Sequence, residues 1–421
     1  DGSITDEIKY SYTVYDPLGR ITEVGELRSP FSITHAASRR QTFVEDSALA
    51  GIRSEITKTW YDAVKYTISN GSFAQHQLRG RVAHITYQDA SGSSYQHGVH
   101  YSYDIHGNVN SMVRENVVLT AIGQQYKQID YDYDLVSGKV NQVNYQQGGA
   151  DQFYHRYDYD ADNRLTQAYT STDSVHWDRD ARYFYYLHGP LARTEIGQHK
   201  VQGVDYAYTL HGWLKGVNSG TLNETRDMGK DGWVSGANSN RNVARDVYGF
   251  TLSYYNTSST KDYAAVNSSA AFEAELYNKD FGNASPSLYN GNIKSMVVAI
   301  SKFMEGGATP MGYAYQYDQL NRLLQVDAYN NINLSTNTWN TGGSPLPDYH
   351  NRFTYDANGN ILTQVRRGSA TSGFGLDSLT YNYASNKNQL TYVDDGVTGS
   401  AYTDDIDDQS SGNYEYDEIG N

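Results

Sequence analysis

Seven aspartates, Asp16, Asp104, Asp134, Asp160, Asp318, Asp356 and Asp417, each directly follow a tyrosine and each precede a glycine or asparagine three or four residues on. Carboxylates in such number could serve as the acid and base of a glycosidase, which needs two of them flanking one bond. Their spacing points to a different employment. In "SYTVYDPLGRITEV", residues 11–24, apolar and aromatic positions at Tyr12, Val14, Ile21 and Val24 flank Tyr15-Asp16-Pro17-Leu18-Gly19. A type I β-turn favours Asp first, because its carboxylate accepts backbone N–H groups, Pro second, because its φ is fixed, and Gly fourth, because φ > 0 costs it nothing. An aspartate committed to a turn is not free for acid–base work.

The same arrangement returns at Tyr103-Asp104-Ile105-His106-Gly107, at Tyr355-Asp356-Ala357-Asn358-Gly359 and at Tyr416-Asp417-Glu418-Ile419-Gly420. Tyr159-Asp160 with Asn163 and Tyr317-Asp318 with Asn321 put asparagine where the others have glycine, the second residue type that enters the left-handed region cheaply. Tyr133-Asp134 with Gly138 is one residue longer, and Tyr208–Leu214 and Tyr289–Ile293 are decayed relatives. Successive tyrosines lie 30 residues apart from Tyr103 to Tyr133, 26 to Tyr159, and 28 from Tyr289 to Tyr317. That is room for two strands and their connections. A period of this size marks a repeat architecture, in which one hairpin buries little alone and neighbours pair edge to edge.

Composition agrees with a thin structure. Hydrophobic residues make up 38% of the 421, yet 40 are tyrosines against 11 phenylalanines and mean hydropathy is −0.68, so a thick apolar core is not expected. Tyrosine packs its ring on cross-strand neighbours while its hydroxyl finds water or a polar partner, which suits a sheet wet on both faces. The absence of cysteine excludes disulfides and thiolate zinc sites. A formal charge of −15 without a basic block argues against nucleic acid as a partner. No apolar stretch approaches the ~20 residues that span a bilayer as a helix. The chain stops at Gly420-Asn421 inside a turn, so the expectation is a repeat region truncated at least at its C-terminus.

Other chemistry is sparse. His-Glu-x-x-His, Gly-x-Ser-x-Gly and the phosphate-binding glycine loop are missing. His97 and His100 fall on opposite faces of a strand, poorly placed to share a metal, and His106, His188 and His211 read as local hydrogen-bonding groups in turns. Neither catalytic, cofactor-binding nor metal-binding residues are assigned. The acidic run from Asp394 to Asp408 could attract Ca²⁺, but it lacks EF-hand spacing and the closing glutamate, which favours a solvated loop. Strands are expected over 81–87, 99–104, 128–134, 140–145, 153–160 and 183–186. Residues 219–287 break the rhythm as an insertion, with a short helix capped by Ser268 or Ser269, and 330–348 read as a long polar loop.

The Tyr-Asp-x-x-Gly-Arg/Asn repeats, with "WDRDARYFYYLHGPLARTEIG" at 177–197 and "VQGVDYAYTLHGWLKGVNS" at 201–219, resemble the YD repeats of the Rhs family, which includes the C components of Tc toxins and the teneurins. The second pair of segments resembles the form these take in Rhs proteins of the Bacteroidetes type. The likeness covers nearly the whole chain, while Tyr61-Asp62, without a following glycine, and the two irregular stretches depart from it. It implies an all-β fold of repeated antiparallel hairpins in a spiralling hollow shell, one continuous region over 1–421. It further implies a secreted or cell-surface structural protein whose partner is a toxin domain downstream in the same polypeptide, with glycans or a delivery apparatus as further partners. The family's autoproteolytic segment lies outside this chain, so no enzymatic activity is expected of it. The alternatives are a carbohydrate-binding or adhesion module, with Trp213 and Trp339 as stacking platforms, and last a glycosidase.

Overall fold

The computed structural model describes residues 8–29, 52–71, 73–224, 226–234, 236, 238–254, 288–305, 309–330, 332–333, 338–339, 345–369, 375–397, 402 and 406–416. The chain is all-β and divides into two compact units, residues 1–181 and 182–421.

The first unit is a meander. Its strands are β1 (Ile8–Tyr15), β2 (Ile21–Ser29), β3 (Ile52–Tyr61), β4 (Val82–Ala90), β5 (His97–Tyr103), β6 (Val109–Asn116), β7 (Tyr126–Tyr133), β8 (Val140–Tyr145), β9 (Phe153–Tyr159) and β10 (Leu165–Ser171). Each pairs antiparallel with the next. β11 (Asp178–Tyr185) contains the point of division.

The second unit continues the grammar with β12 (Leu191–Ile196), β13 (Gln202–Tyr208), β14 (Leu214–Val217), β15 (Tyr248–Ser253), β16 (Ser295–Ile300), β17 (Met311–Tyr317) and β18 (Leu323–Tyr329). A two-residue pair, β19 (Ile332–Asn333) and β20 (Thr338–Trp339), stands apart from the meander, which resumes with β21 (Asn351–Tyr355), β22 (Ile361–Arg367), β23 (Gly375–Tyr383) and β24 (Leu390–Asp395). Here too each meander strand pairs with its sequence neighbour, and β18 pairs with β21.

Among the described residues the repeat hairpins carry one irregularity at the same place. Ser102 opposes Ser111 while Tyr103 opposes Val109, leaving Asn110 as an extra residue. The same step leaves Thr22, Asn141, Thr166, Leu324, Leu362 and Thr391 unopposed. A bulge of this kind bends its strand and increases the local twist. Where the extra residue is threonine its hydroxyl bonds back across the pair, Thr166 Oγ1 to Asp158 O at 3.0 Å and Thr391 Oγ1 to Asn382 O at 2.7 Å.

Burial alternates along β5, β13 and β16, as one covered face requires, whereas β7 to β10 are half-buried almost throughout. Leu27, Ile56, Ala83 and Val113 are buried in the first unit and Val297, Ala299, Ala314 and Leu379 in the second, but they share the interior with His84, His100, Glu115, Arg193 and Asp231. Much of what is covered is therefore polar.

Several expectations need correction. Strands β4, β5 and β7 extend two or three residues past the limits read from sequence because the added residues pair with a neighbouring strand, Gln88 and Ala90 with Ile56 and Ser54, His97 and Gly98 with Asn116 and Glu115, and Tyr126 and Lys127 with Glu115 and Arg114, and β11 begins five residues earlier than expected. The stretch 219–287 is not wholly irregular, since β15 runs within it and pairs with β14 and β16. The expected helix near Ser268 lies outside the described residues, as do Asp417 and Gly420. Two short helical pieces were not anticipated: a 3₁₀ turn over Val117–Ile122, capped by the Asn116 side chain, and an α-helix over Ser301–Glu305.

Candidate functional site

The repeat turns share one geometry. Gly19 N–H donates to Asp16 O at 2.9 Å and Asp16 N–H donates to Arg20 O at 2.9 Å, with Gly19 at φ +77°. The other turns close in the same way with φ +97° at Gly107, +62° at Asn163, +64° at Asn321 and +96° at Gly359, while the longer turn puts Gly138 at +69°. This is a type I turn followed by a left-handed residue, the hairpin loop that tolerates glycine and asparagine best. The carboxylate of each Asp accepts two further backbone N–H groups, as Asp104 Oδ1 does from His106 and Asn108 and Asp356 Oδ1 does from Asn358 and Asn360.

The residue after the glycine or asparagine completes the turn. Arg20, Arg164 and Arg322 donate Nε to the same Asp Oδ2 at 2.7, 2.8 and 2.6 Å, and Asn108 and Asn360 do so with their amides. The Asp16, Asp160 and Asp318 carboxyls are held below the ordinary carboxylate range, first by the backbone N–H of that arginine and then, against the opposing pull of burial, by its guanidinium.

The tyrosine has a longer reach. Tyr103, Tyr133 and Tyr159 donate their hydroxyls to Val82 O, Val109 O and Val140 O at 2.8, 2.9 and 2.8 Å, in each case the first residue of the preceding hairpin's return strand. In the second unit Tyr355 and Tyr383 do the same to Leu323 and Ile361, and Tyr317 donates to Ile293 O, two residues before β16. Tyr61, whose repeat lacks the turn, still donates to Ile21 O at 2.9 Å, and Arg20 and Arg322 lie 4.3 and 4.6 Å over the rings of Tyr61 and Tyr355. Tyr15 begins its turn half-exposed and Tyr416 is the last described residue. The repeat tyrosine is thus a clasp between successive hairpins, and its partner lies 19 to 32 residues back, or 40 back for Tyr61, beyond what spacing alone discloses.

Two buried polar clusters also escaped the sequence reading, because each is assembled from several strands whose register spacing does not give. In the first unit His84 Nδ1 lies 2.7 Å from His100 Nδ1, and His100 Nε2 lies 3.0 Å from Glu115 Oε2. Lys65 N–H donates to His84 Nε2 at 3.0 Å, while Tyr95 and Gln125 donate to Glu115 at 2.8 and 2.7 Å. Both imidazoles are fully buried, and Gly98 leaves the space, since a Cβ there would meet His100 Nε2 at 2.7 Å. Burial, then the neighbouring His100, lowers the His84 pKa to about 4. His97, on the opposite face of β5, stacks near Tyr87 instead.

In the second unit Arg193 on β12 binds Asp205 on β13 and, at 2.7 Å, Asp231, with Glu195 3.6 Å from its Nε. Asp227 lies near enough to raise the pKa of Asp205 and Asp246, after burial. Gly203 and Gly229 admit these groups, since a side chain at either would strike Arg193 and an aspartate. Both oxygens of Asp246, Oδ2 of Asp231 and Oε2 of Glu195 are buried without a hydrogen-bond partner. Burial, then Asp227, Asp231 and Asp205, pushes the Asp246 carboxyl up to about 8, and burial raises Asp205 to about 6 despite Arg193.

Among the described residues no group of three or more His, Asp or Glu side chains is arranged to hold a metal ion, including the described part of the 394–408 run, where Asp395 instead accepts from Ser378 N and Val397 N. The Trp213 ring packs 5.0 Å from both His211 and Tyr254 and alongside Gly291, which is intramolecular packing and not an open platform; the side chain of Trp339 lies outside the described residues. No described helix is long and apolar enough to cross a membrane.

No family model matches the chain, and no curated protein matches it. Among solved structures it is similar to a chain in the crystal structure of TcdB2-TccC3-TEV, with 13% identity and TM-score 0.28 over 91% of this chain and 19% of that one. A chain of the Photorhabdus luminescens Tc holotoxin pore gives 12% identity and TM-score 0.25 over 92% and 18%. A porin-like protein from Bacteroides uniformis gives 9% and 0.21 over 79% and 85%. The chain spans about a fifth of the length of the first two, and scores this low assign it neither activity nor partner.

Proposed function

We propose that the chain is a length of wall from a YD-repeat shell, which keeps a cargo carried downstream in the same polypeptide apart from its surroundings until delivery outside the producing cell. The observation that supports this most is the tyrosine clasp. Each repeat binds the turn end of the one before it through a backbone carbonyl, so hairpins can be added one after another without a thick apolar core to organise them. The bulge placed identically in each hairpin bends successive strands in the same manner, as a curved wall needs. The cargo of this reading is a toxin domain, in keeping with the resemblance of the repeats to the Rhs family.

Protease protection tests it. The full-length polypeptide is incubated with a nonspecific protease, intact and after mild denaturation and dilution, and the region downstream of residue 421 is followed by mass spectrometry. Survival of that region only in the intact protein is expected. Digestion at equal rates in both states contradicts an enclosing wall.

A further inference from the structure

Where Tyr61-Asp62 lacks its turn, residues 62–71 and 73–81 form a strap over the first unit. Its base is closed by Gly80 N–H to Asp62 Oδ1 at 2.6 Å, and its second half is tied by Gln75 to Ala83 O and Tyr101 O and by His76 to Ser102. Its first half rests on the buried pair: Tyr66 packs 5.5 Å from the His84 ring, and Lys65 N–H donates to His84 Nε2.

The donors and acceptors of this cluster determine every proton. Lys65 N–H can only donate, so His84 Nε2 must accept and the His84 proton sits on Nδ1. That proton points at His100 Nδ1, which therefore accepts, and the His100 proton on Nε2 is donated to Glu115. Both imidazoles are neutral in this chain of bonds. An added proton finds no place in it. On His84 it makes Nε2 a donor facing Lys65 N–H, and on His100 it makes Nδ1 a donor facing His84 Nδ1–H; moving the His84 proton to relieve the second conflict recreates the first.

We propose that the His84–His100–Glu115 chain is an acid-sensitive latch which holds the first half of the 62–81 strap against the sheet, and that protonation of His84 releases it. The groups facing the pair are Trp60 from β3, Lys65 and Tyr66 from the strap, Tyr95 from the β4–β5 turn, and Glu115 from β6 with Gln125 behind it. Of these the charged ones are Glu115, already engaged by three donors, and Lys65, whose ammonium lies 4.9 Å over the Trp60 ring. Neither offers the new proton an acceptor. The lowered His84 pKa places release in mild to moderate acid.

Amide hydrogen exchange on the 421-residue chain at about pH 7.5 and about pH 4.5, corrected for intrinsic rates, tests the latch. Residues 63–71 are expected to lose about tenfold or more of their protection in acid while β8–β10 keep theirs. His84→Gln, which retains an acceptor for Lys65 without titrating, is expected to abolish the difference. Protection of the strap that persists in acid, or that disappears together with β8–β10, overturns the proposal. Imidazole ¹⁵N shifts of the unaltered protein near neutral pH provide a check independent of any variant: Nδ1–H at His84 and Nε2–H at His100 are required, and the reverse tautomers also overturn it.

Discussion

The buried cluster of the first unit and that of the second answer the same problem in opposite ways. At His84, His100 and Glu115 each buried polar atom has a partner of the right kind, and the charge is a single carboxylate met by three donors. Around Arg193 the carboxylates Glu195, Asp205, Asp227, Asp231 and Asp246 outnumber the cations, and Asp246 is left with neither oxygen bonded. Burying a charge is tolerable when it is paired and costly when it is not. The two units should therefore respond to pH with opposite signs. His84 has a folded pKa of about 4 against an ordinary 6.5, so the unfolded chain binds the extra proton first, and the first unit loses stability as pH falls through that window. Asp246 has a folded pKa of about 8 against 3.8, so the folded chain holds the proton, and the second unit loses stability as pH rises from about 4 to about 8.

The sharpest way to break the contrast is Arg193→Leu. It strips the second cluster of its main cation and should cost about 3–5 kcal/mol, read by denaturant titration with probes in each unit, with the first unit spared. Glu115→Gln should cost about 1.5–3 kcal/mol in the first unit, because an amide cannot accept from His100, Tyr95 and Gln125 together. Asp246→Asn should instead stabilise the second unit by about 1–2 kcal/mol near pH 8 and flatten its decline with rising pH, measured by melts across pH. A destabilising Asp246→Asn would mean that the carboxylate has a partner. Smallest is Tyr355→Phe, which removes one clasp to Leu323 O and should cost about 0.5–1.5 kcal/mol, with faster amide exchange confined to β21 and β22.

What could be read from the sequence was local. Asp356 and Gly359 announce their turn because every bond that turn needs is made within five residues. Gly359→Val accordingly tests strain alone, since a Cβ there has open space around it and only its φ of +96° is at fault. What could not be read was cross-strand. Tyr103 and Val82 are joined only because the bulge at Asn110 and the register of β4 to β6 bring them together, and nothing in either residue names the other. The same holds for His84, His100 and Glu115, on three successive strands, and for Arg193 with Asp231, 38 residues apart. Tyr61-Asp62 shows both sides: the missing glycine was visible, but not that a strap replaces the turn while the clasp to Ile21 survives.

The wall reading is tested most directly by a cryo-electron microscopy map of the intact polypeptide that contains this chain. It should show the hairpins of residues 8–395 as a single layer bounding a cavity with density for the downstream region inside. A solid interior filled by side chains of the repeats themselves would contradict it.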